Sequence, residues 1–225
     1  MIDMAILDFP SVDTADESGL VAVGGDLEVS SLKLAYRRGI FPWPISREFP
    51  LAWFSPDPRG VLDYKDLIVS TSLKKALKRG QFEVRFNTCF MDVIEACACI
   101  KNRKNESETW ITPEIIQGYI NFHNAGHAYS VETINKETGE LVGGLYGVLV
   151  GGHVSGESMF YRESNASKIA LYRLMERLSD YGINYLDTQM VTPIVEAFGG
   201  KEISRDNFLK RISEEKKINF FEIFS

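Results

Sequence analysis

Apolar residues at Ile169, Leu171, Leu174 and Leu178 fall on one helical face and predict the longest helix of the chain over Ala166 to Tyr181, with Gly182 just past its end. A strand over Tyr185 to Met190 is expected next. Upstream, Thr112 reads as the cap of a helix with Pro113 at its first position, closing at Asn124-Ala125-Gly126. Tyr129, Val131 and Ile134 then open a strand region. Gly139 marks a hairpin turn before a strand over Leu141 to Val150, and a third strand is expected to carry Val154 to Phe160. Nearer the start, Ser30 or Ser31 caps a short helix that stops at Gly39. A helix from about Ser72, a strand over Phe82 to Phe86 and a helix from about Phe90 to Ile100 follow. A last helix from about Arg205 and a strand over Ile218 to Phe224 complete a mixed sheet of the α/β (α+β) class.

Between Phe41 and Gly60 the pattern changes. Pro42, Pro44, Pro50, Pro56 and Pro58 lack donors and force extended geometry on their neighbours, so the stretch reads as an ordered loop pinned by Trp43, Trp53 and Phe54. A domain boundary is expected near Val61-Leu62. It separates a small N-terminal domain (1–62) from a larger one (63–225).

The 225 residues, 44% of them hydrophobic, suffice for a full core. No apolar run, Leu145 to Val150 included, is long enough to span a bilayer, and the N-terminus lacks a basic then apolar leader. A cytoplasmic monomer without membrane contact is expected. Cys89, Cys97 and Cys99 are odd in number and form no Cys-x-x-Cys pair, which points to reduced thiols packed in a helix. The formal charge of -6 argues against sequence-blind adhesion to nucleic acid, but it is unevenly spread. Lys65, Lys74, Lys75, Lys78, Arg79 and Arg85 concentrate positive charge mid-chain, whereas the first sixty residues are acidic.

Several motifs fail on their own terms. Gly143-Gly144-Leu145-Tyr146-Gly147 has no Lys-Ser/Thr and leads into apolar strand residues, so a tight β-hairpin is the expected reading over a nucleotide loop. Gly156-Glu157-Ser158-Met159-Phe160 matches a nucleophile elbow only in its first three residues, because Phe160 replaces the required glycine. His123 and His127 have zinc-helix spacing, yet Gly126 ends the helix between them. No metal or other cofactor is expected.

Other motifs agree with one another. They are Gly24-Gly25-Asp26-Leu27, Tyr36 to Trp43, Trp53 to Arg59, Thr109-Trp110-Ile111-Thr112, Leu141 to Gly147, Gly156 to Phe160, Asn165 to Lys168, and Asp187-x-Gln189. In this order and spacing, over nearly the whole length, the chain resembles the leucyl/phenylalanyl-tRNA–protein transferases. The resemblance implies a C-terminal domain of the GNAT acetyltransferase-like fold carrying a small N-terminal domain. It also implies transfer of Leu or Phe from aminoacyl-tRNA to proteins beginning with Arg or Lys, which marks them for degradation.

Such chemistry needs few groups. The ester is already activated, so the enzyme aligns an amine, removes its proton and steadies an oxyanion. On a strand Asp187 and Gln189 share a face about 6.6 Å apart, which lets the amide bridge the carboxylate and the incoming amine. The resemblance assigns these two residues a proton relay; the open alternative is that they orient the amine while the tRNA ribose hydroxyl shuttles the proton. Glu157, at an expected strand end, is the candidate for an ammonium contact, with Ser158 beside it. Trp43 and Trp110 serve either as stacking partners of the terminal adenine or as core. Leu145, Val154, Leu171 and Leu174 are the candidate pocket for the Leu or Phe side chain.

For tRNA, Lys74 with Lys78 and Lys75 with Arg79 stack at i, i+4 on the basic helix. Asn165, Ser167 and Lys168 sit where a helix begins, as caps or as phosphate contacts. The chain departs from the family at Ile194 and Ala197, where a His and a Ser are usual, at Gly199-Gly200, and at Thr71, where a basic residue is common. Two rival functions are a CoA-dependent N-acetyltransferase, which lacks its pyrophosphate loop here, and a non-catalytic reader of basic protein N-termini.

Overall fold

The structure is a computed structural model and describes residues 6–46, 49–99, 109–214 and 218–224. Strand β1 (Leu20–Val23), helix α1 (Val29–Arg37), β2 (Phe41–Pro42) and β3 (Ala52–Phe54) come first, and the three strands form a small antiparallel sheet ordered β1-β3-β2. Phe41 to Gly60 is therefore not a loop throughout. Pro42 is tolerated because β2 is an edge strand of this sheet, where a missing donor costs no ladder bond.

The larger sheet is built from β4 (Arg59–Asp63), β5 (Phe82–Phe86), β6 (Ala128–Asn135), β7 (Leu141–Val150), β8 (His153–Tyr161), β9 (Tyr185–Gln189) and β10 (Lys201–Ile203), in the order β10-β4-β9-β8-β7-β6-β5. Between them run α2 (Thr71–Arg79), α3 (Phe90–Ala98), α4 (Pro113–Asn124), α5 (Ala166–Asp180) and α6 (Pro193–Ala197), and α7 (Arg205–Glu214) and α8 (Phe220–Phe224) follow β10. Neighbouring strands are antiparallel except β8 and β9, which are parallel and joined through α5. The fold is thus mixed α/β. Strand β4 straddles the boundary expected after Leu62 and lies between β10 and β9.

Helix α1 begins at Val29 after Glu28, which makes no side-chain cap hydrogen bond, so Ser30 and Ser31, expected as its caps, lie inside the helix, whereas α4 is capped as expected. Ser70 and Thr112 accept the N–H groups of Leu73 and Ile115, and Gly80 closes α2 in the left-handed conformation. Ile100, where the third helix is expected to end, lies outside the described residues; α3 reaches Ala98, with Cys97 buried within it and Cys89 and Cys99 at its two caps.

Three expectations are corrected. Phe220 to Phe224 is helical, because Phe220, Ile223 and Phe224 are spaced for one helical face and bury it, with Phe224 stacked on Tyr129. The Gly143 to Gly147 run is mid-strand in β7, and the hairpin turn that follows this strand falls at Gly151-Gly152 instead. Glycine is needed there for close approach, since a Cβ on Gly143 would lie 2.5 Å from the Ala166 Cβ and one on Gly147 2.0 Å from the Ser155 carbonyl oxygen. Glu157 likewise sits inside β8 rather than at its end, beside an irregularity in the β7–β8 register between Tyr146 and Gly147.

Besides a small cluster of Val61, Tyr185 and Phe208, the sheet separates two large apolar cores. One packs Leu62, Leu145, Val154 and Leu186 against Leu171, Leu174 and Leu178 of α5. The other joins Tyr36 of α1, Phe41 and Trp53 of the small sheet, Phe90 of α3 and Tyr119 of α4 to Tyr146 and Phe160. This second core ties the N-terminal segment to the large sheet.

Candidate active site

Parallel pairing of β8 with β9 sets Ser155 opposite Asp187 and brings Glu157 beside Gln189. Gln189 Nε2 donates to Glu157 Oε1 over 3.0 Å. The other Oε1 partner is the Ser155 hydroxyl at 2.7 Å, and Tyr119 donates to Oε2 over 3.4 Å. The amide of Gln189 thus points at Glu157, and its link to Asp187 runs through the backbone, whose N–H donates to Asp187 Oδ1 over 3.0 Å.

Gln189 takes up this position in the left-handed region, with φ of 57°. For a residue with a Cβ this costs about 1–2 kcal/mol. The neighbouring strand makes room for it. A Cβ on Gly60 of β4 would lie 2.5 Å from the backbone carbon of Met190, so glycine is required where the β9 chain turns past β4.

Asp187 is held from below by a residue to which sequence reading gives no role. Arg59 donates from Nε to Oδ1 over 2.8 Å and from NH2 to Oδ2 over 2.7 Å, and both side chains are 0% exposed. Its remaining nitrogen reaches the Gly39 carbonyl at 3.0 Å, and its guanidinium lies 4.8 Å and 4.3 Å from the ring centres of Phe41 and Phe208. His153 Nε2 is 3.3 Å from Asp187 Oδ2. Burial alone would raise the Asp187 carboxyl; the Arg59 charge, its two hydrogen bonds and His153 outweigh it and hold the group well below the usual carboxylate range. The signal for Arg59 in the sequence is its place at the end of the Trp53 to Arg59 motif, where a buried cation needs an anion.

Glu157 is perturbed in the opposite sense. It is half-buried, and desolvation pushes its carboxyl up to about 7, with Asp187 adding to the rise and the Ser155 and Tyr36 hydroxyls and Arg59 opposing it. Two carboxyls on adjacent strands are therefore shifted in opposite directions, Asp187 charged throughout the neutral range and Glu157 titrating near neutrality.

Trp43 and Trp110 come together, their rings stacked 5.1 Å apart at 15°, and both belong to the second core. Leu145, Val154, Leu171 and Leu174 also come together, in the core under α5, each 0–4% exposed. Ser158 is half-buried on β8, opposite Tyr146. Lys74, Lys75, Lys78 and Arg79 lie on the outer side of α2, whose Leu73 alone among its residues is buried. Asn165 begins α5 in the left-handed conformation and makes no side-chain cap hydrogen bond, Ser167 is buried and Lys168 is half-buried. His123 Nδ1 lies 2.7 Å from the Ala128 carbonyl. An open cleft of about 810 Å³ lies on another flank of α4, between Asp26, Leu27, Pro44 and Leu51 and the helix residues Glu114, Gln117 and Asn121, and neither Glu157 nor Gln189 lines it.

A carboxyl poised near neutrality beside an aimed amide, with a second carboxylate locked behind them, is a site able to hold an ammonium group and take its proton, as acyl transfer to an amine requires. Family comparison narrows this class. Residues 61–213 match the leucyl/phenylalanyl-tRNA protein transferase model and residues 25–57 match the N-terminal domain model of the same name. A leucyl/phenylalanyl-tRNA–protein transferase of Syntrophobacter fumaroxidans is 45% identical over 206 residues, covering 92% of this chain and 86% of the relative. One of Aromatoleum aromaticum is 47% identical over 203 residues, covering 89% and 84%. The chain belongs to the leucyl/phenylalanyl-tRNA–protein transferase family.

Among solved structures, L-PGS from Bacillus licheniformis overlaps 69% of this chain and 48% of its own at 14% identity and a TM-score of 0.40. A tandem GNAT protein from the clavulanic acid biosynthesis pathway overlaps 87% and 59% at 9% identity and a TM-score of 0.36.

Proposed function

We propose that this protein transfers Leu or Phe from aminoacyl-tRNA to the α-amine of proteins that begin with Arg or Lys, in the cytoplasm and as a monomer, and so marks them for degradation. The observation that carries this reading is the part-buried hydrogen bond of Gln189 to Glu157 in a chain that belongs to the family. The acceptor ammonium sits against Glu157 and Gln189. Asp187, neutralised by Arg59, fixes the backbone of Gln189 and so acts as a positioning residue in place of a proton acceptor.

The amine attacks the ester carbonyl carbon, and the ribose oxygen departs with a proton. Trp43 and Trp110 stack on the terminal adenine or wall the site. Leu145, Val154, Leu171 and Leu174, with Ser158 nearby, shape the region that receives the amino-acid side chain. The cations of α2, together with Asn165, Ser167 and Lys168, meet tRNA phosphate. Positioning, with no cofactor, supplies most of the rate.

The test is a set of peptides that differ only in their first residue (Arg, Lys, Ala, Glu), incubated at equal concentration with labelled Leu-tRNA. Transfer should favour Arg and Lys by about tenfold or more, the worth of one charge-assisted hydrogen bond from the cationic first side chain to a carboxylate of the enzyme. Equal transfer to Arg and Glu peptides would defeat the proposed specificity.

A further inference from the structure

Two buried phenols from distant parts of the chain meet at Glu157. Tyr36 lies on α1, where Ser31, Leu32 and Ala35 share its buried face, and its ring stacks on Phe122 at 6.1 Å. Tyr119 lies on α4 and packs edge-on against Tyr146 of β7 at 5.6 Å. Both tyrosines are 0% exposed, their hydroxyls are hydrogen-bonded to each other, and Tyr119 donates onward to Glu157 Oε2. A phenol buried in apolar surroundings is an expensive choice where a phenylalanine would pack equally well, so the hydroxyls need a reason.

Desolvation, followed by the nearby Glu157 charge, raises both phenols well above their ordinary range, so they remain donors throughout the neutral region. They can therefore supply hydrogen bonds to an ionised Glu157 but never take its proton. The other groups facing Glu157 are Ser155 on β8, Tyr129 from β6, Gln189 and Asp187 on β9 and Arg59 on β4. Asp187 is engaged by Arg59 and is too weak a base for an ammonium group.

We propose that Glu157 is the group that accepts the proton of the acceptor ammonium, and that Tyr119 and Tyr36 are positioning residues that hold its carboxylate ready from α4 and α1. This rests on the transfer reading above. The ammonium N–H bond breaks and its proton passes to a Glu157 oxygen, leaving a neutral amine. The amine's lone pair forms the bond to the ester carbonyl carbon. On collapse the C–O bond to the ribose breaks, the second amine proton goes to the ribose oxygen, and Glu157 returns its proton to solvent. The products are an amide, a tRNA with a free ribose hydroxyl and one released proton.

The experiment is single-turnover transfer with saturating acceptor peptide from about pH 6 to about pH 9, which brackets the ordinary α-amine range, with aminoacyl-tRNA affinity measured alongside. Glu157→Gln should lose about 10²-fold or more in rate while binding aminoacyl-tRNA as the wild type does. Tyr119→Phe should move the acid limb of the profile to higher pH by roughly one to two units, because the missing donor is a hydrogen bond to a charged group, and should recover most of its rate at the alkaline end. Tyr36→Phe should move it in the same direction. A Glu157→Gln enzyme with wild-type rate and profile would overturn the inference and leave the transfer reading standing, as would a Tyr119→Phe enzyme slowed equally at every pH. Absence of any transfer by the wild type would overturn both.

Discussion

Replacing Arg59 by Met keeps much of the side-chain length and its packing against Phe41 and Phe208, and strips the guanidinium from a carboxylate with no access to water. Removing one member of a buried, doubly hydrogen-bonded ion pair costs about 3–5 kcal/mol, most of it the penalty of the charge left behind. Asp187→Asn should cost a similar amount for the converse reason. In Arg59→Met/Asp187→Asn neither charge remains, so the double variant should be more stable than the sum of the single losses by roughly 1–3 kcal/mol. Urea unfolding of the four proteins gives the cycle directly, provided their slopes agree.

The pH dependence has a fixed sign. A carboxyl held below its ordinary value contributes stability above that ordinary range, about 3.9 for Asp, and loses it as pH falls through the folded value. The deficit of Asp187→Asn should accordingly be constant between about pH 5 and about pH 8 and shrink only in acid. Single variants that lose less than about 1 kcal/mol, or losses that simply add, would refute the lock between β4 and β9.

Glu157 should show the opposite stability profile: a carboxyl raised from 4.5 to about 7 stabilises the fold below its unfolded value and loses that contribution as pH rises through about 7. At about 1.36 kcal/mol per pH unit, Glu157→Gln should match the wild type at about pH 4 and exceed it at about pH 8 by on the order of 3 kcal/mol, and thermal melts at the two pH values check this. Gly60→Ala forces a methyl group onto the Met190 backbone, so it should destabilise by about 1–3 kcal/mol and slow transfer by displacing Gln189 while tRNA affinity holds. Alanine at Lys74, Lys75, Lys78 and Arg79 together should weaken aminoacyl-tRNA binding and flatten its log–log salt slope by about one for each phosphate no longer neutralised; unchanged affinity and slope would leave α2 a solvated face.

Helices α4 and α5 are legible because caps and apolar spacing agree, as at Thr112-Pro113 and Ile169 to Leu178. The last segment is not, because Phe220 to Phe224 is apolar in both periods and only packing against Tyr129 and Phe86 decides it. Asp187, Gln189 and Glu157 are legible as members of motifs, yet the opposite shifts of the two carboxyls are not. Their surroundings depend on Arg59, 128 residues from Asp187, and on Tyr36, 83 residues from Tyr119. Periodicity assigns such residues to the core. A buried aromatic with a hydroxyl, or a buried cation, acquires meaning only once its partner is in place.

The most direct measurement supplies the wild-type enzyme with Leu-tRNA and acetyl-CoA together and follows, by intact mass, a protein that begins with Arg. The protein should gain one leucine residue at its N-terminus, dependent on the tRNA and greatly slowed in Gln189→Ala. A gain of an acetyl group, or binding of the protein without any gain in mass, would contradict it.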